Sequence, residues 1–523
     1  MAFDEDVRLE PARWPLNGFA LVLAVDAPTH SATGPGLHVE PELAKALSRD
    51  RDLWASGFWG EDWAQELTRI IRVDVSASMI NLLPLAAPYP PKRDARFFVL
   101  NTIAGLEQSG RFVVDAADRS LLVSSSRQDT PIIDIAVVSL LLHVKNAHDI
   151  EFRNISFERS RGDGVYVENS SRITLSNCFV ADVGTRGIVV SGGDNNSISR
   201  TVVARSGETG VEMRGGDRSQ LIPAHHQLVE SVVTDVARDV RGRRYGVLID
   251  GVGQSVQKSL IADLPDQAIW FMGNDHHIDQ NIFLNVCYET LDSGAINSGR
   301  DLTARGTYIS RNYFGGIRAF RPDAPLGNWS IYLDDYVSGI TIEQNIFSNV
   351  DGGVFINGGR DNAVYNNIFL GIAKKAVLVQ NLQGTPYTQK AFQPDALLMQ
   401  RLHAVPFKSP IYQERYPNLA KLFEDEPQLP KYNEVRGNYI DRDSVAHFTR
   451  RANVWVKNSE EHVLPLRAWS KNAEIDRIIE SSQLASLHDT KFEIRSTVLS
   501  GFQGLLFWPR VESKLLPTLG AHN

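Results

Sequence analysis

The chain has 523 residues, 62 acidic against 54 basic side chains and a formal net charge of -8. That length supports a large core and more than one structural unit, while the mild acidity argues against broad nucleic-acid binding, which needs clustered basic charge. Two cysteines, Cys178 and Cys287, exclude a disulfide framework, and no apolar run reaches the ~18 residues of a membrane span.

The chain starts MAFDEDVRLE, acidic where a signal peptide is basic. The sequence as written is therefore expected to be cytoplasmic, or the mature form of an exported protein. Residues 1–145 read as a Trp-rich α/β region. Within it, DLWASGFWGEDWAQELTRIIRVD (52–74) reads as a short helix running into a strand, with Trp54, Trp59 and Trp63 as packing anchors or as one wall of a cleft. RFVVDAADRSLLV reads as a hairpin.

From about 146 a period takes over. GVYVEN, GIVVSG and GVEMRG start at Gly164, Gly187 and Gly210, steps of 23. A second series carries Asn154, Asn177, Asn281, Asn312, Asn345 and Asn367. Each period holds short apolar strands divided by Gly, Asn, Asp and Ser, with no room for a helix. The fold class is therefore mainly β: a right-handed parallel β-helix over 146–445, with the asparagines stacked at one turn, where they tolerate the left-handed conformation. Two steps stretch to 36, with the excess falling within 211–245 and 315–328. These loops are expected on one side of the solenoid, walling a cleft. A Pro-rich insertion with short helices interrupts the coils at about 384–430, and 446–523, including the amphipathic NAEIDRIIESSQL, reads as an α+β cap on the open end.

Charge concentrates where the strands look most buried, between Asp275 and Asp335. Aligning Ala295, Ile331 and Val354 places Asp334 beside Ser298 and Asp335 beside Gly299. With Ile331 and Leu333 inward, Asp334 points outward. Asp292 precedes the neighbouring strand and Glu289 lies one turn further back. Carboxylates on adjacent coils fall within the roughly 5–9 Å that paired-carboxylate glycosidases use, and crowding drives their pKa values apart. The catalytic candidates are thus Asp292 and Asp334, with Asp335 and Glu289 as competitors. Asp292 in LDSGA also fits a plain turn. Small neighbours leave room for a sugar ring. Trp270, Trp329 and Tyr332 offer stacking faces, and His276, His277, Asn297, Arg300 and Asp301 offer polar contacts, with His225 and Arg360 as further substrate-binding candidates. No cofactor is called for, although Asp334, Asp335 and Glu289 form a carboxylate set suited to calcium.

DSGAINSGRD (292–301), IYLDD (331–335), GGRDN (358–362), GNDH (273–276) and GFWGEDWA (57–64) occur in the order found in bacterial right-handed β-helix proteins of glycoside hydrolase family 141, which the chain resembles over most of 50–445. The resemblance implies a retaining or inverting glycosidase with two aspartates, here Asp292 and Asp334, acting on fucosyl linkages in pectin or on xylan. The sequence departs from the pattern at Asn297, where a tyrosine, as in GAIY, is expected. The partner is then a carbohydrate, with neither nucleic acid nor membrane involved. A polysaccharide lyase or uronate epimerase on the same scaffold is the second reading, using His276, His277, Arg300 or Arg305 toward a uronate. A non-catalytic carbohydrate-binding solenoid is the third.

Overall fold

The computed structural model describes residues 1–441, except 6, 28–33 and 127–131, together with the strands Thr449–Arg450, Val456–Lys457 and His462–Leu464. Apart from these three strands, the expected C-terminal cap, NAEIDRIIESSQL included, lies outside the described residues.

The N-terminal region is β-rich. One sheet has the strand order Ser120–Ser124, Arg111–Asp115, Val7–Pro11, Ala2–Asp4, Ile133–Ile135. A second carries the Trp-rich stretch. The helix expected at its start is instead a strand, Trp54–Phe58, paired antiparallel with Gln65–Asp74. Glycines at 57 and 60 and the alternation in LTRIIRVD favour extended backbone there. Trp59 fills the core of this sheet and donates its indole N–H to the Glu66 carbonyl at 3.2 Å. Trp63 packs edge-on against Tyr89 and under Arg243.

The solenoid begins at Leu140. Each coil contributes one strand to each of three parallel sheets of eleven strands. Sheet I starts at Leu140–Lys145, sheet II at His148–Arg153 and sheet III at Ser156–Ser160. Inward Val, Ile, Leu and Phe form one continuous core, along which Phe283, Phe314, Phe347 and Phe369 stack with centroids 4.6 to 4.9 Å apart.

Polar ladders hold the turns. Between sheets II and III the amide N–H of each coil donates to a side chain of the next, running Cys178 to Thr201, Ser231, Ser259, Asn281, Asn312, Asn345, Asn367 and Asn438. These asparagines are buried. The left-handed conformation falls on the residue before each of the five, Gln280, Arg311, Gln344, Asn366 and Gly437, whereas in the first coils Asn154 and Asn177 adopt it themselves. Thus the later asparagines act through their amides alone, satisfying backbone groups that would otherwise be buried unpaired.

Register in sheet I differs by one residue from the sequence alignment. Ile296, not Ala295, pairs with Ile331, which pairs with Val354, so the coil step is 35. Ser298 lies beside Leu333 and Gly299 beside Asp334, while Arg300 donates its N–H to the Asp335 carbonyl at 3.1 Å. Ile331 and Leu333 are buried in the core, and Tyr332 and Asp334 face outward. A slip by one residue would expose two core side chains, at ~1.5–3 kcal/mol each, and bury a carboxylate. The core therefore fixes where the acid points.

The long loops leave from two turns, not one. Residues 237–245 and 316–327 both connect sheet III to sheet I and meet the N-terminal region, where Gly242 N–H reaches Gln65 at 3.1 Å and Arg321 reaches Asp62 at 2.8 Å. The other excess, 216–226, connects sheet I to sheet II. Over that second turn lies the insertion between Gln380 and Asn433, with helices Pro386–Ala391, Leu397–His403, Pro410–Arg415 and Pro417–Ala420. Its apolar side chains pack on Leu302 and Tyr336 of the coils. Arg401 donates to the Gly299 carbonyl at 2.7 Å and Tyr412 to the Arg218 carbonyl at 2.7 Å. The outer face of sheet I thus lies between two walls.

Candidate active site

Asp334 ends the strand Asn328–Asp334 on the floor between those walls. It touches water along one edge yet is surrounded by protein. Burial, then the neighbouring charges of Asp335 and Asp292, push its carboxyl up to about 8, against a hydrogen bond from Asn357 at 2.8 Å. Its neighbour in register is Gly299. A methyl group there would lie in van der Waals contact with the Asp334 Cβ at 3.5 Å and with the Trp270 ring at 3.7 Å, so the glycine keeps a gap of about one methyl group between the indole and Asp334.

Asp292 sits at the preceding turn with φ of 53°. Its N–H donates to the Gly327 carbonyl at 3.1 Å, and Tyr332 donates its hydroxyl to Oδ1 at 2.9 Å. Its carboxyl is also raised, by burial first and then by Asp335 and Glu61. A fully buried carboxylate beneath, Asp266, staples this turn. It accepts from the hydroxyls of Thr290 and Ser293, both at 3.0 Å, and from Arg243 N–H at 2.6 Å. The display of Asp292 is therefore tied to the 241–243 wall.

Asp335, just past the strand, accepts from Arg300 Nε at 2.8 Å, and the hydroxyl of Tyr387 lies near both. Tyr387 comes from the first helix of the insertion. Trp270 projects from the coil before Asn297 and stacks on Tyr245, with centroids 5.7 Å apart and planes at 21°. Asn297 lies between Trp270 and Tyr332 in register, and its buried Oδ1 has no protein hydrogen-bond partner.

Asp292, Asp334, Asp335, Arg300, Trp270, Asn297 and Tyr332 thus share one floor, but Tyr332 is 3 % exposed and anchors Asp292 rather than offering a face. Other sequence candidates are elsewhere and their expected roles are corrected. Both oxygens of Glu289 are taken by Arg241, at 2.5 and 2.8 Å, in the contact with the N-terminal region, so it competes for no catalytic role and the calcium set of Asp334, Asp335 and Glu289 is not assembled. Among the described residues no cluster of three or more His, Cys, Asp or Glu is placed to hold a metal. Trp329 is 2 % exposed, wedged against Gly352 and Phe355. His276 belongs to the turn ladder between sheets I and II: Nδ1 accepts from Gln254 N–H at 3.1 Å and Nε2 lies 2.7 Å from the Met272 carbonyl. Asp301 is buried and caps Thr303 N–H at 2.8 Å while pairing with Arg218 at 3.2 Å. Arg360 is buried and holds the insertion through Asp425. Arg305, considered for a uronate, is buried against Asp361 at 2.7 Å. His225 and His277 line a separate groove.

Sequence reasoning missed Asn357, Asp266, Tyr245 and Tyr387. The coil step of 23 from Asp334 points straight at Asn357. Tyr387 sits in the insertion, which has no repeat register to place it.

The sequence profile described as "Right handed beta helix region" matches residues 140–222 and 245–388. From Leu140 the described residues form a right-handed parallel β-helix. Among solved structures, one described as "Glycoside hydrolase" superposes with a TM-score of 0.58 at 14% identity, covering 71% of this chain and 76% of its own. A mannuronic acid-specific polysaccharide family 6 lyase from human gut microbiota gives a TM-score of 0.34 at 10% identity, covering 69% and 84%. The catalytic unit of a GH87 alpha-1,3-glucanase from Streptomyces thermodiastaticus gives 0.32 at 8% identity, covering 72% and 95%. At these identities the likeness concerns the fold. No curated protein sequence matches the chain.

Proposed function

We propose that the protein hydrolyses a glycosidic bond of a poly- or oligosaccharide lying across sheet I, with Asp334 as general acid and Asp292 as nucleophile or base. The observation that carries this reading is the contrast between two carboxyls on one floor. Asp334, desolvated and crowded by like charge, keeps its proton near neutral pH. Burial raises Asp292 too, but the hydroxyl hydrogen bond from Tyr332 opposes that rise and favours its ionised form. Environments that raise one carboxyl of a pair well beyond the other divide the roles of acid and base. Asp334 would protonate the leaving oxygen while the Asp292 carboxylate, held by the Tyr332 hydroxyl, attacks the anomeric carbon or takes a proton from the attacking water; Asp334 then regains its proton from the water that completes hydrolysis or from solvent. Asp335, held by Arg300, lies close enough to help raise the Asp334 carboxyl. Trp270, part-exposed beside Gly299, offers an apolar surface to a sugar ring.

The motif resemblance to family 141 and the fold shared with the solved structure described as a glycoside hydrolase support the same reading. A lyase needs a cation or amide free to neutralise a uronate carboxylate. Arg300 is committed to Asp335 and Arg305 to Asp361, which favours hydrolysis. The test is digestion of a panel of polysaccharides and aryl glycosides. New reducing ends without unsaturated-uronate absorbance fit the proposal, and products carrying that absorbance contradict it.

A further inference from the structure

The insertion that brings Tyr387 to Asp335 brings its third helix, Pro410–Arg415, to a second place. There Ile411, Glu414 and Arg415 face the sheet I–II turns at Gly253 and Asp275 and the 216–226 loop at Leu221, Pro223 and His225. The groove between them has a volume of about 730 Å³, and none of the residues that line it contributes to the site around Asp334.

His277 opens onto this groove from the first position of a sheet II strand. Its ladder neighbours are Tyr308 on one side and Ser255 on the other. The imidazole stacks flat on Tyr308, with centroids 5.7 Å apart and planes at 6°. Ser255 is too short to cover the opposite face, so a planar face stays open toward the groove. Around it stand the apolar Pro223, Leu221 and Ile411. The rim is polar but has no excess of fixed positive charge: Arg415 pairs with Asp275 at 3.1 Å, Tyr416 donates to the same carboxylate at 2.9 Å, and Glu414 adds one anion. A flat ring bounded by apolar side chains, inside a rim of carboxylates and imidazole, complements a molecule with C–H faces and hydroxyl edges. It gives an acidic polymer no attraction.

We propose that this groove is a second, non-catalytic binding site for a neutral oligosaccharide. The ligand class rests on the carbohydrate reading of the protein, while the site stands on its own geometry. The groove lies beside a strand ladder rather than over the acids, so it would hold a distal part of a polymer being cut on sheet I, raising its local concentration there.

The full-length Asp334→Asn protein, which leaves polymer intact, is run through native gels containing soluble arabinoxylan, xyloglucan or galactomannan, and through gels containing polygalacturonate. At least one neutral polymer is expected to retard it. His277→Ala and Ile411→Asp, both at the surface, should each weaken that affinity at least fivefold with an unchanged melting temperature, and Trp270→Ala should leave most of it. The proposal is overturned by retardation that His277→Ala and Ile411→Asp leave unchanged, by retardation with polygalacturonate alone, or by none with any neutral polymer. Turnover of short substrates by His277→Ala in the wild-type background separates the two sites: parental rates leave the catalytic reading untouched whatever happens to the groove.

Discussion

Asp334→Asn should produce an inactive protein that is more stable than its parent at neutral pH. The wild-type carboxyl is held up at about 8, against 3.8 for an ordinary aspartate. A carboxyl whose folded pKa is raised gives the folded state its greatest advantage below the unfolded value and loses it as pH rises toward the folded one. At pH 7 that loss corresponds to about 4 kcal/mol. Water along one edge of Asp334, and sharing of the effect with Asp335 and Asp292, reduce it to about 2 kcal/mol, since charge at a wetted site is partly screened. Asparagine keeps the size, remains able to pair with Asn357 and never ionises, so this cost disappears. Thermal melting of both proteins from pH 4 to pH 8 is the assay. The parent should lose stability across that window relative to Asp334→Asn, with the gap widening toward pH 8. Equal slopes would mean that Asp334 ionises as an ordinary exposed carboxyl, and the acid role argued for it would fail.

Asp292→Asn should lower kcat by at least ~10²-fold while leaving the melting temperature close to that of the parent, and Tyr332→Phe, which removes only the hydroxyl that holds it, should shift the pH–rate profile with a smaller loss. Glu289→Gln should leave kcat unchanged and cost ~1–3 kcal/mol in denaturant unfolding, because Arg241 keeps its charge and loses its partner. The buried His226 and His276 are both pushed down to about 4 by desolvation, below the ordinary 6.5. Their contribution is therefore complete above 6.5 and lost as pH falls toward 4, by up to about 3 kcal/mol each, and His276→Asn should flatten that acid limb in a urea titration.

How much of this was legible in the sequence depends on whether the repeat reached the residue. The steps of 23 at Gly164, Gly187 and Gly210 are a direct image of stacked coils, because each strand must meet its neighbour in register. The outward placement of Asp334 followed from alternation with Ile331 and Leu333. Where a loop lengthened the coil, alignment slipped by one residue, since both Ala295 and Ile296 are apolar and both are buried. His276 carried no such signal: a histidine at a turn reads as exposed chemistry, and only the stacking of Gln254 and Thr307 above and below reveals a ladder rung. Glu289 looked like a third acid because sequence separation from Asp292 is short; the chain turns between them, and Arg241, 48 residues away, claims it. The helix expected at the start of 52–74 is a strand because the glycines at 57 and 60 and pairing with Gln65–Asp74 both favour extended backbone there.

Hydrolysis by the sheet I aspartates is tested most directly by the masses of the products. A defined oligosaccharide that the protein cleaves is digested and analysed by mass spectrometry beside the Asp334→Asn and Asp292→Asn proteins. Hydrolysis predicts fragments whose summed mass exceeds that of the substrate by one water for every bond cut, formed by the parent and lost at least ~10²-fold in both variants. Fragments that sum to the substrate alone, or cleavage that survives both substitutions, would contradict it.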